Sequence, residues 1–191
     1  ALANGRCRTP TNPERDRFMK HVRHGYLLTC LLLVLCAGNA FSASHVLSLK
    51  EVPARLELEP WVTYTCDVNA PQQLAGIDKS TFRNLPLPHI SFGFLKEACW
   101  FRWEMQNDSN ATQRLLFTID YPVLDHVDLY ERSGETTRKW VMGDALPFKQ
   151  RKIDSRNFVL PLTLEPGQRA TYFLRIESTG SMTVPLYISN R

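Results

Sequence analysis

Glycine is scarce in this 191-residue chain, with only 9 residues, and charge of one sign is missing from most of its length. The low glycine count excludes a collagen-like repeat. Residues 1–24 hold six of the 23 basic residues and two of the 19 acidic ones, which leaves 17 of each in the remainder. The formal +4 therefore belongs to the N-terminus, and no basic face is left to argue for a nucleic-acid partner. Phosphate and dinucleotide signatures are missing, with neither Gly-x-Gly-x-x-Gly nor Gly-x-x-x-x-Gly-Lys-Ser present. So is the Gly-x-Ser-x-Gly elbow of a serine hydrolase, and so is the ligand spacing of an EF-hand. Long heptads and a sustained 3.6-residue stripe are missing after residue 43. What remains is 43% hydrophobic and 22% charged, an ordinary globular composition and too apolar for a disordered chain.

The N-terminus carries an export signature. Met19-Lys-His-Val-Arg-His24 is a short positive stretch, followed by an uncharged run of 12 residues from Tyr26 to Ala37. The small residues Gly38, Asn39, Ala40, Ser42 and Ala43 follow. This is the order of a secretory signal peptide, expected over residues 19–43 and best cleaved after Ala40. The run is too short for a transmembrane helix, which needs roughly 20 apolar residues. The polar residues 1–18 precede the start-like Met19 and read as a translated leader outside the fold. The working domain is expected over residues 44–191.

That division explains an odd cysteine count of five. Cys7, Cys30 and Cys36 fall in the leader and signal, which leaves Cys66 and Cys99 in an oxidising compartment. The two either form a disulfide or stand as separate buried thiols.

From Ser44 onward, short β-rich runs alternate with turn signals. Phe101, Trp103 and Met105 share one face of a strand over 100–106. Leu115, Phe117 and Ile119 do the same over 114–120. Over 125–132, Val127 and Leu129 face one way while His126, Asp128 and Tyr130 face the other. Ser133-Gly134-Glu135 reads as a hairpin turn. Phe158, Leu160, Leu162 and Leu164 alternate strictly, and Pro161 among them predicts an edge strand or a bulge. Further strands are expected over 170–177 and 182–188. Leu56–Cys66 reads as one strand interrupted near Pro60. A helical turn is expected over 77–82, with Asp78 as its N-cap. Strands at this spacing, without a convincing helix, predict an all-β sandwich or barrel.

The residues offer few routes to catalysis. His45, His89 and His126 are the only histidines after the signal, and His126 with Asp128 reads as a solvated strand face. Paired carboxylates for glycoside hydrolysis need only be close in space, so sequence alone does not exclude them. Recognition of a sugar-like ligand is better represented. Trp61, Trp100, Tyr121, Tyr130 and Trp140 offer flat apolar faces, and Arg102, Arg151, Arg156 and Asp144 offer hydrogen bonds. The competing reading makes the aromatics core and the arginines surface partners of aspartates. The irregular Asp144–Arg156 loop is the preferred polar site, because long loops on rigid β scaffolds often carry binding groups. Asn107-Asp-Ser109 and Asn110-Ala-Thr112 match the glycosylation sequon and read equally as turn residues.

The ordered series of motifs resembles one family. It comprises His89-Ile-Ser-Phe-Gly-Phe-Leu-Lys-Glu-Ala-Cys-Trp-Phe-Arg102, Leu116-Phe-Thr-Ile-Asp-Tyr-Pro-Val-Leu-Asp-His-Val-Asp-Leu-Tyr130, Gly143-Asp-Ala-Leu-Pro-Phe-Lys-Gln-Arg151, Arg156-Asn-Phe-Val-Leu-Pro161 and Tyr172-Phe-Leu-Arg-Ile-Glu-Ser178, closing on Pro185-Leu186. The resemblance is to the type 2 extracellular domain of bacterial seven-transmembrane receptors with diverse intracellular signalling modules (7TMR-DISM), and it covers about Val46 to Ile188. It implies a jelly-roll β-sandwich similar to carbohydrate-binding modules. It further implies a non-catalytic, periplasmic sensor of a small polar ligand such as a carbohydrate; from the residues themselves no cofactor and no resident metal are expected. Carried onto matching positions, the implied polar site residues are Trp100, Arg102, Tyr121, Asp125, Asp144, Arg151, Arg156 and Arg175. In the family, membrane helices and an output module such as a diguanylate cyclase or histidine kinase follow, anchoring the receptor in the inner membrane. Here Ser189-Asn190-Arg191 closes the chain, and nothing after residue 43 is apolar enough to span a bilayer. The chain thus reads as a receptor fragment or as a free periplasmic module. Rival expectations are an envelope interaction or homodimerisation module, with an edge near Pro161, and a carbohydrate-active enzyme.

Overall fold

Alternation along the strands decides which side chains meet, and the computed structural model describes this for residues 46–66, 73–85 and 90–190. The expected leader (1–18) and signal segment (19–43) lie outside the described residues, as do His45 and His89. Thirteen strands are described: β1 (Val46–Leu49), β2 (Leu56–Glu57), β3 (Thr63–Thr65), β4 (Arg83–Asn84), β5 (Ser91–Phe94), β6 (Cys99–Asn107), β7 (Gln113–Ile119), β8 (His126–Ser133), β9 (Thr136–Met142), β10 (Phe158–Leu164), β11 (Arg169–Glu177), β12 (Ser181–Thr183) and β13 (Leu186–Asn190).

They form three sheets. The largest runs β4-β3-β6-β11-β8-β9, and β1 pairs in parallel with the far half of β6. The second runs β10-β7-β13-β2, and β12 pairs with β5. Apart from β1, the pairings are antiparallel. Phe101, Trp103 and Met105 from β6, Leu115, Phe117 and Ile119 from β7, Val127 and Leu129 from β8, and Phe158, Leu160, Leu162 and Leu164 from β10 are buried in one cluster. Two sheets burying their apolar faces together give a largely all-β domain, consistent with a sandwich-like arrangement. Trp103 ties them, its ring stacking on Phe117 of the second sheet and on Tyr172 of the first, with each centroid 5.4 Å away.

Three local expectations are corrected. Leu56–Cys66 is not one strand: β2 joins β13, whereas β3 joins β6. A 3-10 turn over Glu59–Trp61 separates them, with Pro60 in its first positions, where a fixed φ and a missing N–H are tolerated. Residues 182–188 likewise divide into β12 and β13, which belong to different sheets. Asp78 does not cap the 3-10 turn over Ile77–Lys79. Gly76 holds that position at φ 92°, and the Asp78 carboxylate turns to Arg132 instead. The reading of Pro161 agrees with β10 lying at the edge of its sheet, paired only to β7.

Candidate functional site

β11 shows where to look. Residues Tyr172 to Ile176 are all buried, and a strand covered on both faces needs a second layer on each. Tyr172, Leu174 and Ile176 enter the main core. Phe173 faces the opposite way and forms a second cluster with Trp100, Tyr130 and Ile77, against which Leu74 and Phe82 pack. Residues 73–82 thus lie as a strap across the outer face of the large sheet, and the chain then joins that sheet's edge as β4.

Strand register lays out that face. One row runs Thr65, Trp100, Arg175, Asp128 and Val141 across β3, β6, β11, β8 and β9. The next runs Thr63, Arg102, Phe173, Tyr130 and Lys139. Trp100 stacks on Tyr130 at 5.7 Å, one row apart. Cations surround this aromatic floor. The Arg132 guanidinium lies 4.9 Å from the Phe173 ring centre and that of Arg102 lies 5.8 Å from it. Lys139 Nζ stands 5.0 Å from the Tyr130 ring centre and 3.0 Å from Asp128 Oδ2. Burial alone would lower the Lys139 pKa, but the bonds to Tyr130 and Asp128 outweigh it and hold the ammonium charged.

The strap is fastened lightly. Ile77 is fully buried, which contributes about 1.5–3 kcal/mol. Arg132 Nη1 donates to both Asp78 oxygens at 2.9 Å. These side chains are 31% and 57% exposed, so the pair contributes at most about 1 kcal/mol. Just before the strap, Cys66 forms a disulfide with Cys99, next to Trp100, at a Cα separation of 4.2 Å.

The eight site residues expected from the family resemblance divide into two groups. Trp100, Arg102 and Arg175 lie on the outer face. Trp100 is fully buried under the strap and exposes no face for stacking. Arg102 is 38% exposed and pairs with Glu104 at 2.9 Å. Arg175 is nearly buried and pairs with Glu177 at 2.7 Å.

Tyr121, Asp125, Asp144, Arg151 and Arg156 belong instead to the loops after β7 and β9. Tyr121 packs half-buried against the main core. Asp125 Oδ2 accepts from the Thr179 N–H and hydroxyl, both at 2.7 Å, and these bonds hold its carboxyl below the usual range. Asp144 donates its N–H to the Leu124 carbonyl at 2.7 Å and stands 3.9 Å from Arg151. Arg151 donates to the Ser155 carbonyl at 2.9 Å and to that of Arg156. Its guanidinium is flanked by Phe148 and Phe158, each 4.8 Å away. Arg156 is exposed. The Asp144–Arg156 loop therefore uses its most promising polar groups to hold its own shape.

Sequence reasoning placed Tyr130 among the ligand candidates but missed Phe173, Arg132 and Lys139. Period-two alternation in β11 and β8 carries part of that signal, since it sets Phe173 and Arg132 opposite the core-facing residues. The second cover needed to bury Phe173 was not visible there. Trp61 and Trp140 pack half-buried against the core.

Among the described residues, no group of three or more His, Cys, Asp or Glu side chains gathers to hold a metal ion, and no helix is long and apolar enough to cross a membrane. A family model described as 7TMR-DISM extracellular 2 matches residues 59–190. No curated protein matches the chain.

Proposed function

The chain belongs to the 7TMR-DISM extracellular 2 family, as a non-catalytic periplasmic sensor domain of a bacterial receptor, and from that premise we propose what it senses and where. The ligand is a small polar molecule of the carbohydrate class, taken up on the outer face of the large sheet. The fold is a jelly roll similar to carbohydrate-binding modules. Export by the 19–43 segment and inner-membrane anchoring in the whole receptor belong to the same proposal.

One observation carries the choice of face: Arg102, Arg132, Lys139 and Asp128 converge around the Trp100–Tyr130–Phe173 floor. The aromatic rings are covered by the strap; uncovered, their flat surface suits sugar C–H groups, and the cations and carboxylate at its rim suit hydroxyls. The loop arginines have a poorer claim, because Arg151 is engaged by backbone carbonyls. Binding biases the receptor only by its different affinity for two arrangements of the domain.

The test is a thermal-shift screen of neutral sugars, uronates and amino acids, repeated on Arg102→Ala and Arg151→Ala. A stabilising ligand is expected whose effect Arg102→Ala abolishes and Arg151→Ala leaves in place. A ligand lost with Arg151→Ala but kept with Arg102→Ala would move the site to the loop. Homodimerisation is the second reading, favoured by β10 as an edge strand of its sheet, with the exposed Pro161, which has no N–H to donate, limiting direct strand pairing there. Sedimentation that stays monomeric up to high protein concentration would remove it.

A further inference from the structure

The strap over 73–82 has a ligand's chemistry. Leu74, Ile77 and Phe82 lie on the Trp100–Tyr130–Phe173 floor, with the Phe82 ring 6.5 Å from that of Phe173. Beside these apolar groups stands one carboxylate, Asp78, held through both oxygens by Arg132. An apolar surface with a carboxylate at its rim is also the outline of a sugar acid, which sets C–H groups beside a carboxylate. The strap therefore already occupies the position that the outer-face reading assigns to a ligand.

We propose that residues 73–82 are a built-in competitor for the outer face, and that the molecule displacing them is a sugar acid. The incoming carboxylate replaces that of Asp78 on Arg132. The sugar ring replaces Ile77 and Phe82 on the aromatic floor. The Cys66–Cys99 disulfide fixes the chain just before the strap to the first residue of β6, so a displaced strap stays tethered at that end. A face open only in a minor fraction of molecules lowers the apparent affinity by that fraction. The strap thus sets the concentration at which the sensor responds, and its release is the conformational change that binding produces. This rests on the outer-face reading of the ligand site.

The test compares D-galacturonate with D-galactose by calorimetry on the purified protein and on Asp78→Asn, Ile77→Ser and Arg132→Gln, with hydrogen exchange followed by mass spectrometry. Galacturonate is expected to bind the unsubstituted protein and to speed exchange in 73–82, where the Ile77, Lys79 and Ser80 N–H groups are bonded. Asp78→Asn should tighten galacturonate severalfold, and Ile77→Ser on the order of tenfold or more. Arg132→Gln should erase the preference over galactose. Asp78 is exposed and its substitution leaves the core intact, so the test stands even if Ile77→Ser folds poorly. If galacturonate binds through Arg102 while exchange in 73–82 is unchanged and Asp78→Asn has no effect, the competitor role is overturned and the face reading survives. If neither sugar binds any form, the strap released or not, both are overturned.

Discussion

Gly143 shows what single residues do here. Its φ is 144°, and a Cβ would stand 2.0 Å from the Asp125 carbonyl oxygen. Backbone of one loop passes against backbone of another, so nothing flexible can give way. Gly143→Ala should cost about 2–3 kcal/mol and lower the melting temperature by roughly 5–10 °C. An unchanged melting curve would show that the two loops part easily. Arg151 is the neighbouring case. Two carbonyls and two rings surround its guanidinium, so Arg151→Ala should cost about 1–3 kcal/mol in a urea titration. Glu104 and Asp125 set the response to acid. Burial alone would raise the Glu104 pKa, but hydrogen bonds from Arg169 and Arg102 outweigh it and leave it lowered. Asp125 is lowered by the Thr179 N–H and hydroxyl. A depressed carboxylate contributes stability that is complete above its unfolded pKa, about 4.3 for Glu and 3.9 for Asp, and is lost as pH falls through the folded value. The urea midpoint should therefore drop below about pH 4. Glu104→Gln and Asp125→Asn should each lower it at pH 7 and flatten the acid slope. An acid slope that both substitutions leave unchanged would contradict this origin.

Among the elements, the Cys66–Cys99 disulfide joins the end of β3 to the start of β6 across 33 residues. Opening it frees a loop of that length in the unfolded chain, worth about 3–4 kcal/mol in the chain-entropy account. Cys99→Ser or Cys66→Ser should lower the unfolding free energy extrapolated from a urea titration by that amount. A loss under about 1 kcal/mol would mean that strand pairing alone closes the loop. The long strands were legible because their inner faces repeat every second residue: β6, β7, β8, β10 and β11 lie where alternation set them, and Pro161 marked its edge correctly. The short strands were not legible. Whether Leu56–Glu57 and Thr63–Thr65 continue one another depends on partners at β13 and β6, which no local pattern names. The strap was illegible for a related reason. Ile77 and Phe82 have no periodic neighbours, and Ile77 is buried and Phe82 half-buried only because an aromatic face waits across the fold. Arg102 and Arg151 looked alike as arginines near aromatic residues. What separates them is the pair of backbone carbonyls that Arg151 reaches, and only the folded chain brings those to it.

For the molecule as a whole, the order of pairing matters more than any one strand. β8 and β9 make the one tight hairpin among the described strands, around Gly134 at φ 57°. The central ladders join distant parts of the chain: β1, β3 and β11 onto β6, and β10 and β13 onto β7. β6 pairs with nothing adjacent in sequence along its length, so within the large sheet only the β8–β9 edge can form from a local nucleus. Loop closure must precede most of the burial that rewards it. Such a topology predicts refolding in milliseconds to seconds rather than microseconds. The disulfide supplies one of these closures in advance, bringing β3 to β6 beside Trp100. Stopped-flow tryptophan fluorescence should therefore show oxidised protein refolding faster than the Cys66→Ser variant, by more than the two differ in unfolding rate. Equal refolding rates, with the whole stability difference in unfolding, would place the β3–β6 contact after the transition state. In that case the strap next to it would also be among the last parts of the domain to settle.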